Sequence, residues 1–107
     1  MEHDITGWTF TDGDEVPWQE LGSGVEMKSL GMANGRLMAM FRFAPGYIGS
    51  VHDHGDAEFT YVLEGDLIAN GVEMQAGHSY AAEAKTKHTG FESPSGSTVI
   101  SVFQVPG

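Results

Sequence analysis

Turn-forming residues recur along this chain at intervals that fit short β-strands. Gly, Pro, Asn or Asp interrupts the apolar segments about every eight to twelve residues, which is the strand spacing of an all-β sandwich or barrel. No segment keeps a helical period. Because 15 of the 107 residues are glycine, the chain can make many tight turns. The sequence therefore predicts one all-β domain with a single core, as is usual at this length.

The alternation of apolar and polar residues predicts eight strands. They are Val25 to Leu30, Arg36 to Ala44, His52 to Leu63, Asp66 to Ala69, Val72 to Gln75, Ser79 to Ala82, His88 to Glu92 and Thr98 to Val105. Turns are predicted at 33–35, 45–46, 64–65, 70–71 and 93–96. Asn70-Gly71 is a strong hairpin signal, because a type I′ turn needs positive φ at both central residues.

The charge balance argues against nucleic acid and membrane surfaces as partners. Fifteen acidic residues stand against five basic ones, and the formal charge is −10, which repels phosphate backbones and anionic lipids. Much of the negative charge lies near the start, at Glu2, Asp4, Asp12, Asp14, Glu15 and Glu20. We therefore expect a mobile acidic segment over residues 1–15 and a barrel over residues 16–107.

Cysteine is absent, which leaves nitrogen and oxygen as metal ligands. The N-terminus has no basic region followed by an apolar run, and no stretch approaches the roughly 18 apolar residues of a membrane span. A cytoplasmic protein is expected. Because so small a barrel has exposed sheet edges, we also expect a homodimer that covers them.

Four side chains form a candidate metal site. His52 and His54 are two residues apart, so on a strand they share one face, and Glu58 keeps that parity if the strand continues without a bulge. His88 follows after a hairpin and a return strand, which is enough chain to bring it beside the first three. Such a site suits Fe(II), Mn(II), Co(II), Ni(II), Cu(II) or Zn(II), and an octahedral ion would keep two positions open for substrate.

These residues resemble the first motif of the cupin superfamily, G-x5-H-x-H-x3,4-E-x6-G. The stretch GYIGSVHDHGDAEFTYVLEG, from Gly46 to Gly65, meets this motif in full. The second motif, G-x5-P-x-G-x2-H-x3-N, is kept at His88, whereas Glu83, Lys85 and Glu92 replace its proline, glycine and asparagine. The resemblance implies a single-domain double-stranded β-helix, or jelly-roll barrel, with one divalent ion on His52, His54, Glu58 and His88.

Beyond the two motifs, the stretch from Trp18 to Val105 resembles the subgroup of ChrR-like cupins. Trp18, the strand GVEMKSL and the line from Arg42 to Gly46 carry it. This subgroup includes the sensor half of a zinc-dependent anti-sigma factor and resembles small dioxygenases that cleave diketones and hydroxyacetophenones. The resemblance favours an Fe(II) dioxygenase of a small diketone or hydroxyketone.

Two alternatives stay open. One is a non-catalytic module that senses metal or ligand and acts through a separate protein partner. The other is a non-redox metal-dependent isomerase or hydrolase with Zn(II) or Mn(II), in which Glu58 or a bound hydroxide moves a proton.

Other residues have weaker roles in this interpretation. Arg42 either faces inward and anchors a substrate oxygen or faces water. Tyr61 is at odd spacing from Glu58 and is expected to face away from the ligands, and His78 is expected to be a turn residue. Candidates for the pocket lining, which could equally be plain core, are Met38, Met40, Phe41, Phe59, Phe91 and Phe103.

Overall fold

The computed structural model describes residues 3–50, 52–53 and 55–105, with the backbone alone described at 52–53. These residues form a 3-10 turn, Gly13–Glu15, and eleven β-strands. The strands are β1 (Gln19–Gly22), β2 (Val25–Ala33), β3 (Arg36–Phe43), β4 (Tyr47–Ile48), β5 (His52–Asp53), β6 (Glu58–Ala69), β7 (Val72–Gln75), β8 (Ser79–Ala82), β9 (Lys87–His88), β10 (Phe91–Ser93) and β11 (Ser97–Gln104). The all-β prediction is confirmed.

Strand β6, with 12 residues, belongs to two sheets. Its first half pairs with β8 and β11, and the larger sheet continues from β11 through β3 and β2 to β1. Its second half pairs with β7 and β10, and β4 lies beyond β10. A separate two-stranded ladder joins β5 to β9. Phe43 of the larger sheet is in ring contact with Tyr47 and Phe91 of the smaller sheet, so the two sheets enclose one interior.

The bend of β6 lies at Gly65, where the sequence predicted a turn. That prediction is wrong, because the strand continues through Gly65. The pairing of β6 with β11 shifts register there, between Thr98 and Val99 of β11. Gly65 has φ of +83°, and a Cβ there would collide with the carbonyl oxygen of Gly96. Glycine therefore lets the strand pass from one sheet to the other without ending.

Two hairpins agree with the predicted turns. Asn34 and Gly35 have φ of 51° and 77°, and Asn70 and Gly71 have φ of 49° and 80°. Positive φ at both central residues is the type I′ arrangement, whose twist matches that of the flanking strands. The predicted strand from 52 to 63 is instead interrupted between β5 and β6, and the short strands β1 and β4 were not predicted.

The buried core draws on both sheets. Phe43 and Val99 come from the larger sheet, and Leu67 and Met74 come from the smaller one, with Val62 before the bend. Val62 and Leu67 have no exposed surface. Because these residues precede and follow Gly65, the bend brings the two sheets onto one apolar interior.

The segment before β1 packs on the outer face of β2 and β3. The Trp18 ring lies 4.8 Å from the Lys28 ammonium and 4.2 Å from the Arg42 guanidinium. Lys28 also donates a 2.7 Å hydrogen bond from Nζ to the carbonyl oxygen of Gly13. These contacts hold Trp18 outside the barrel interior. The described residues include no helix with the length and hydrophobicity of a transmembrane span.

Candidate metal centre and cavity

A cavity of about 230 Å³ lies between the two sheets. Its described lining is Leu21, Val25, Phe41, Phe43, Tyr47, Gly49, Ser50, Glu58, Thr60, Tyr80, His88, Phe91, Val99 and Ser101. The apolar members come from β1, β2, β3, β10 and β11, and inward positions alternate with outward ones along a strand. The polar members cluster around the start of β6. The cavity therefore has an apolar wall and a polar wall.

Glu58, the first residue of β6, is on the polar wall and is held by Tyr80. The phenol of Tyr80 donates a 2.8 Å hydrogen bond to Oε2 of Glu58. The register explains this contact, because Glu58 is opposite Ala82 and Thr60 is opposite Tyr80, which makes Glu58 and Tyr80 diagonal neighbours. The hydrogen bond fixes the orientation of the carboxylate.

Tyr80 keeps its proton over the ordinary pH range. Burial raises the pKa of the Tyr80 phenol, and the Glu58 carboxylate raises that pKa further, while a hydrogen bond with Thr60 opposes the shift. Since a neutral phenol is a donor, Tyr80 is suited to hold an ionised carboxylate. The sequence did not single out Tyr80, because its role depends on which strand pairs with β8.

His88 lies on β9, 7% exposed, and also lines the cavity. Its ring is edge-on to Phe91 at 5.2 Å and to Tyr80 at 6.3 Å between centroids. In the β5–β9 ladder, His52 is the Cα partner of His88. The backbone therefore places two of the predicted ligands directly opposite each other, although they are distant in sequence.

Asn70 holds the segment that carries His88. Its Nδ2 donates to the carbonyl oxygen of Lys87 at 2.9 Å, and its Oδ1 accepts from the backbone N–H groups of Thr89 at 2.7 Å and Gly90 at 3.3 Å. An amide can do this because it both donates and accepts. The sequence identified Asn70 as a turn former and missed this second role, which depends on a segment distant in sequence.

The loop before His88 departs from the motif at Lys85. Lys85, where the second cupin motif has glycine, takes a φ of 65°. Thr86 donates a 2.7 Å hydrogen bond from Oγ1 to the carbonyl oxygen of Glu83, which ties the loop across Lys85. A lysine therefore takes a left-handed conformation at this position, which is strained for a residue with a side chain.

Arg42 does not reach the cavity. It lies on the outer face of β3, and its guanidinium forms an ion pair with Glu26 at 3.0 Å. Val99 pairs with Phe41, and Thr98 pairs with Arg42, so the residues that flank Arg42 face inward and Arg42 faces outward. The alternative of an inward substrate anchor is thus corrected by strand parity.

The residues predicted to line the pocket are divided between the inside and the outside of the barrel. Phe41 and Phe91 line the cavity, whereas Met38 and Phe59 are 42% and 52% exposed on the outside. Tyr61 faces away from the ligands, as expected, and is 47% exposed. Met40 and Phe103 are outside the described cavity lining.

His78 is an exposed turn residue. Its Nδ1 accepts a 3.0 Å hydrogen bond from the N–H of Gln75, and its own backbone N–H donates to the carbonyl oxygen of Gln75. These bonds close the turn between β7 and β8. His78 is therefore a structural residue of that turn, as the sequence predicted.

Glu58 and His88 supply an oxygen and a nitrogen on one cavity wall, which fits a divalent metal in a site without sulfur. Among the side chains that the structure describes, no group of three His, Asp or Glu residues gathers to hold an ion. His54 and the side chain of His52 lie outside that description. The complete quartet of His52, His54, Glu58 and His88 stays a prediction.

Comparison with known proteins agrees with the fold and the motif. The family model of the ChrR cupin-like domain matches residues 7–106. The pectin degradation protein KdgF of Dickeya dadantii is 30% identical over 95 residues, which are 84% of this chain and 86% of that protein.

Two solved structures share the fold. An RmlC-like cupin from Shewanella frigidimarina has a TM-score of 0.80 at 27% identity and covers 89% of this chain and 88% of its own. A putative acetylacetone dioxygenase from Methylibium petroleiphilum has a TM-score of 0.86 at 19% identity and covers 99% of this chain and 83% of its own. The chain therefore belongs to the ChrR cupin-like family, and its fold is the single-domain cupin β-barrel.

Proposed function

We propose that this chain is an enzyme that binds one divalent metal through His52, His54, Glu58 and His88 and acts on a small oxygenated molecule in the barrel cavity. The observation that carries the proposal is the convergence at the polar wall. Glu58 and His88 line one cavity from different strands, and His52 is the Cα partner of His88. The cupin motif assigns His54 to the same set.

A divalent metal held there would supply Lewis acidity and open coordination positions. The protein's own residues do the rest. Tyr80 keeps Glu58 in one orientation, and Asn70 fixes the segment of His88. The aromatic side chains give the cavity an apolar wall against which the apolar part of a substrate would pack. Preorganisation of this kind is what an outer layer of hydrogen bonds contributes to metal sites.

Within this proposal we favour Fe(II) and a dioxygenase reaction, in which both atoms of dioxygen enter the products of a cleaved diketone or hydroxyketone. Nitrogen and oxygen donors without sulfur support that metal, and they also suit Zn, Mn, Ni, Co or Cu. The mostly apolar cavity wall suits a ketone substrate. The fold shared with the putative acetylacetone dioxygenase is consistent with this choice.

Oxygen uptake tests the proposed reaction. Protein reconstituted anaerobically with Fe(II) should consume dioxygen with 1,3-diketones or hydroxyacetophenones, and the His88→Gln variant should not. The matched control is His78→Gln, which removes an exposed histidine of the β7–β8 turn. Absence of uptake across the substrate panel by iron-loaded wild-type protein would contradict the dioxygenase reaction.

A second candidate is a non-redox, metal-dependent reaction, favoured by the 30% identity to a pectin degradation protein. In this reading the Glu58 carboxylate moves a proton instead of serving dioxygen chemistry. Turnover that is equal in air and under argon, and that is retained with Zn(II) or Mn(II), would identify this candidate. Turnover that needs air would identify the first.

We also propose that the chain forms a homodimer through the outer face of the larger sheet. Two apolar rows cross β6, β11 and β3 on that face, one of Phe59, Val102 and Met38 and the other of Tyr61, Ile100 and Met40. The sequence suggested that edge strands would pair. The outer face is the better surface, because contiguous exposed apolar side chains are typical of protein interfaces.

A further inference from the structure

We infer that the barrel cavity selects uncharged small molecules and rejects those that carry a free carboxylate. This inference rests on the proposed function, because it concerns the substrate of the same site. Two observations carry it: the positions of the positive side chains, and the arrangement of the polar and aromatic walls.

The lysine and arginine side chains of this protein lie outside the described cavity lining. The sequence has five Lys and Arg residues, and all of them are in the described part of the chain, where none lines the cavity. Lys28 is engaged by Trp18 and by Gly13 on the outer face. Arg36 and Arg42 are in ion pairs with Asp56 and Glu26 on the surface. The other two, Lys85 and Lys87, are exposed.

An anionic group would therefore enter the cavity without a Lys or Arg partner. Burying an unpaired carboxylate is costly, since its hydration is lost and no protein charge replaces it. The Glu58 carboxylate on the polar wall adds repulsion. The ion expected at the site is a positive partner, and it would have to bind the reacting oxygens of the substrate as well.

The hydroxyl groups of the polar wall are already engaged. Tyr80 donates to Glu58, and the hydroxyls of Thr60 and Ser101 are bonded to each other at 2.7 Å. These groups can take part in one or two hydrogen bonds with a ketone or hydroxyl oxygen. They do not form the cluster of donors that recognition of a carboxylate requires.

The apolar wall favours an apolar substituent. Phe43 is in ring contact with Tyr47 at 4.8 Å and with Phe91 at 5.0 Å, and Phe91 in turn lies against His88. The cavity volume of about 230 Å³ is below the roughly 300–1,000 Å³ of drug-sized sites. The fitting molecule is small, with its oxygens at one end and an alkyl or aryl group at the other.

A matched pair of ligands tests this inference. Two derivatives of 1-phenyl-1,3-butanedione are compared, one with a carboxamide and one with a carboxylate at position 4 of the phenyl ring. They have nearly the same size and differ in charge. Calorimetry with the full chain, both metal-free and loaded with Zn(II), should give the carboxamide an affinity higher by about tenfold or more. Equal or tighter binding of the carboxylate, or binding of neither compound, would overturn the inference.

A charge-gain variant tests the inference from the side of the protein. Leu21 lines the cavity and is 51% exposed, so Leu21→Arg places a cation at the cavity without disturbing the core. It should raise carboxylate affinity, whereas Ile48→Arg, at a residue 74% exposed outside the described lining, should not. Equal effects of the two variants would also overturn the inference. Oxygen uptake is measured separately: ligand selectivity without uptake contradicts the dioxygenase reaction and supports the inference about the cavity.

Discussion

At the scale of single residues, the candidate site depends on side chains that hold the predicted ligands. Glu58 and His88 were predicted from the motif, whereas Tyr80 and Asn70 were found in the structure. Their roles come from hydrogen bonds between segments far apart in sequence. Local patterns do not reveal such bonds, because alternation tells which face a residue is on and not which strand lies beside it.

Removing the Tyr80 hydroxyl should weaken metal binding. Tyr80→Phe leaves the ring in place and deletes the 2.8 Å hydrogen bond to Glu58. We expect metal affinity to fall by about tenfold, at the lower end of the effect of such supporting groups. Competition with a chromophoric chelator measures the affinity. Tyr61→Phe, on the outer face, is the matched control, and the same affinity in the Tyr80 and Tyr61 variants would contradict the positioning role.

Tyr80 should also shape alkaline stability of the metal-free protein. Its pKa is raised by burial in the folded state, so the folded state holds the proton more tightly than the unfolded state does. The free energy of unfolding should therefore fall as pH rises above about 10, by up to about 1.4 kcal/mol per pH unit from this group. Urea titrations at several pH values should show a smaller decline in Tyr80→Phe. An identical decline would contradict the shift.

At the scale of elements, the bend of β6 decides how the two sheets close on the cavity. The sequence predicted both hairpins well, because Asn34-Gly35 and Asn70-Gly71 carry their turn chemistry locally. It failed at Gly65, since a glycine within a bent strand looks like a glycine in a turn. The difference depends on Gly96 and Ser97, which approach Gly65 at the start of β11.

Alanine at Gly65 should destabilise the fold more than alanine at Gly46. Both glycines have φ of +83°, and a Cβ at Gly46 meets nothing within 4 Å, whereas at Gly65 it meets the backbone of Gly96 and Ser97. Gly46→Ala should cost about 1–2 kcal/mol for the left-handed conformation alone. Gly65→Ala should cost about 1–3 kcal/mol more. Chemical denaturation measures both, and equal losses would contradict the close approach.

The Asn70 contacts make a similar pair of variants informative. Asn70→Gly keeps the positive φ of the turn and removes the hydrogen bonds to Lys87, Thr89 and Gly90. We expect a lower metal affinity, because the segment of His88 loses its support. Asn34→Gly changes the same position of the other hairpin, where φ is 51°, and should leave metal affinity unchanged. Equal effects would argue that turn formation alone matters.

At the scale of the whole molecule, the apolar outer face and the cavity with its proposed metal site are the two surfaces through which the barrel would act. The family and the barrel fold were predicted correctly, because the histidine and glutamate spacing is a long motif and strand alternation is strong. Substrate and metal were not determined by the sequence. Both depend on the volume and charge of a cavity that forms when the two sheets meet.

If the dimer forms through the outer face, a charge placed on that face should prevent association. Phe59→Glu puts a carboxylate into the apolar rows of the outer face, where Phe59 is 52% exposed. Since this side chain is outside the core, the variant should fold and should be a monomer in sedimentation velocity. Val72→Glu, at a residue 62% exposed on β7, is the control. A wild-type monomer, or a dimer that persists in Phe59→Glu, would contradict the interface.

The central claim is that one ion is held by His52, His54, Glu58 and His88 together. Elemental analysis of protein loaded with Fe(II) or Zn(II) and then desalted tests it most directly. We expect about one metal per chain in the wild type and in His78→Gln, and much less after changing each of the four residues singly to glutamine. Full metal content in folded variants of those residues, or none in the wild type, would contradict it.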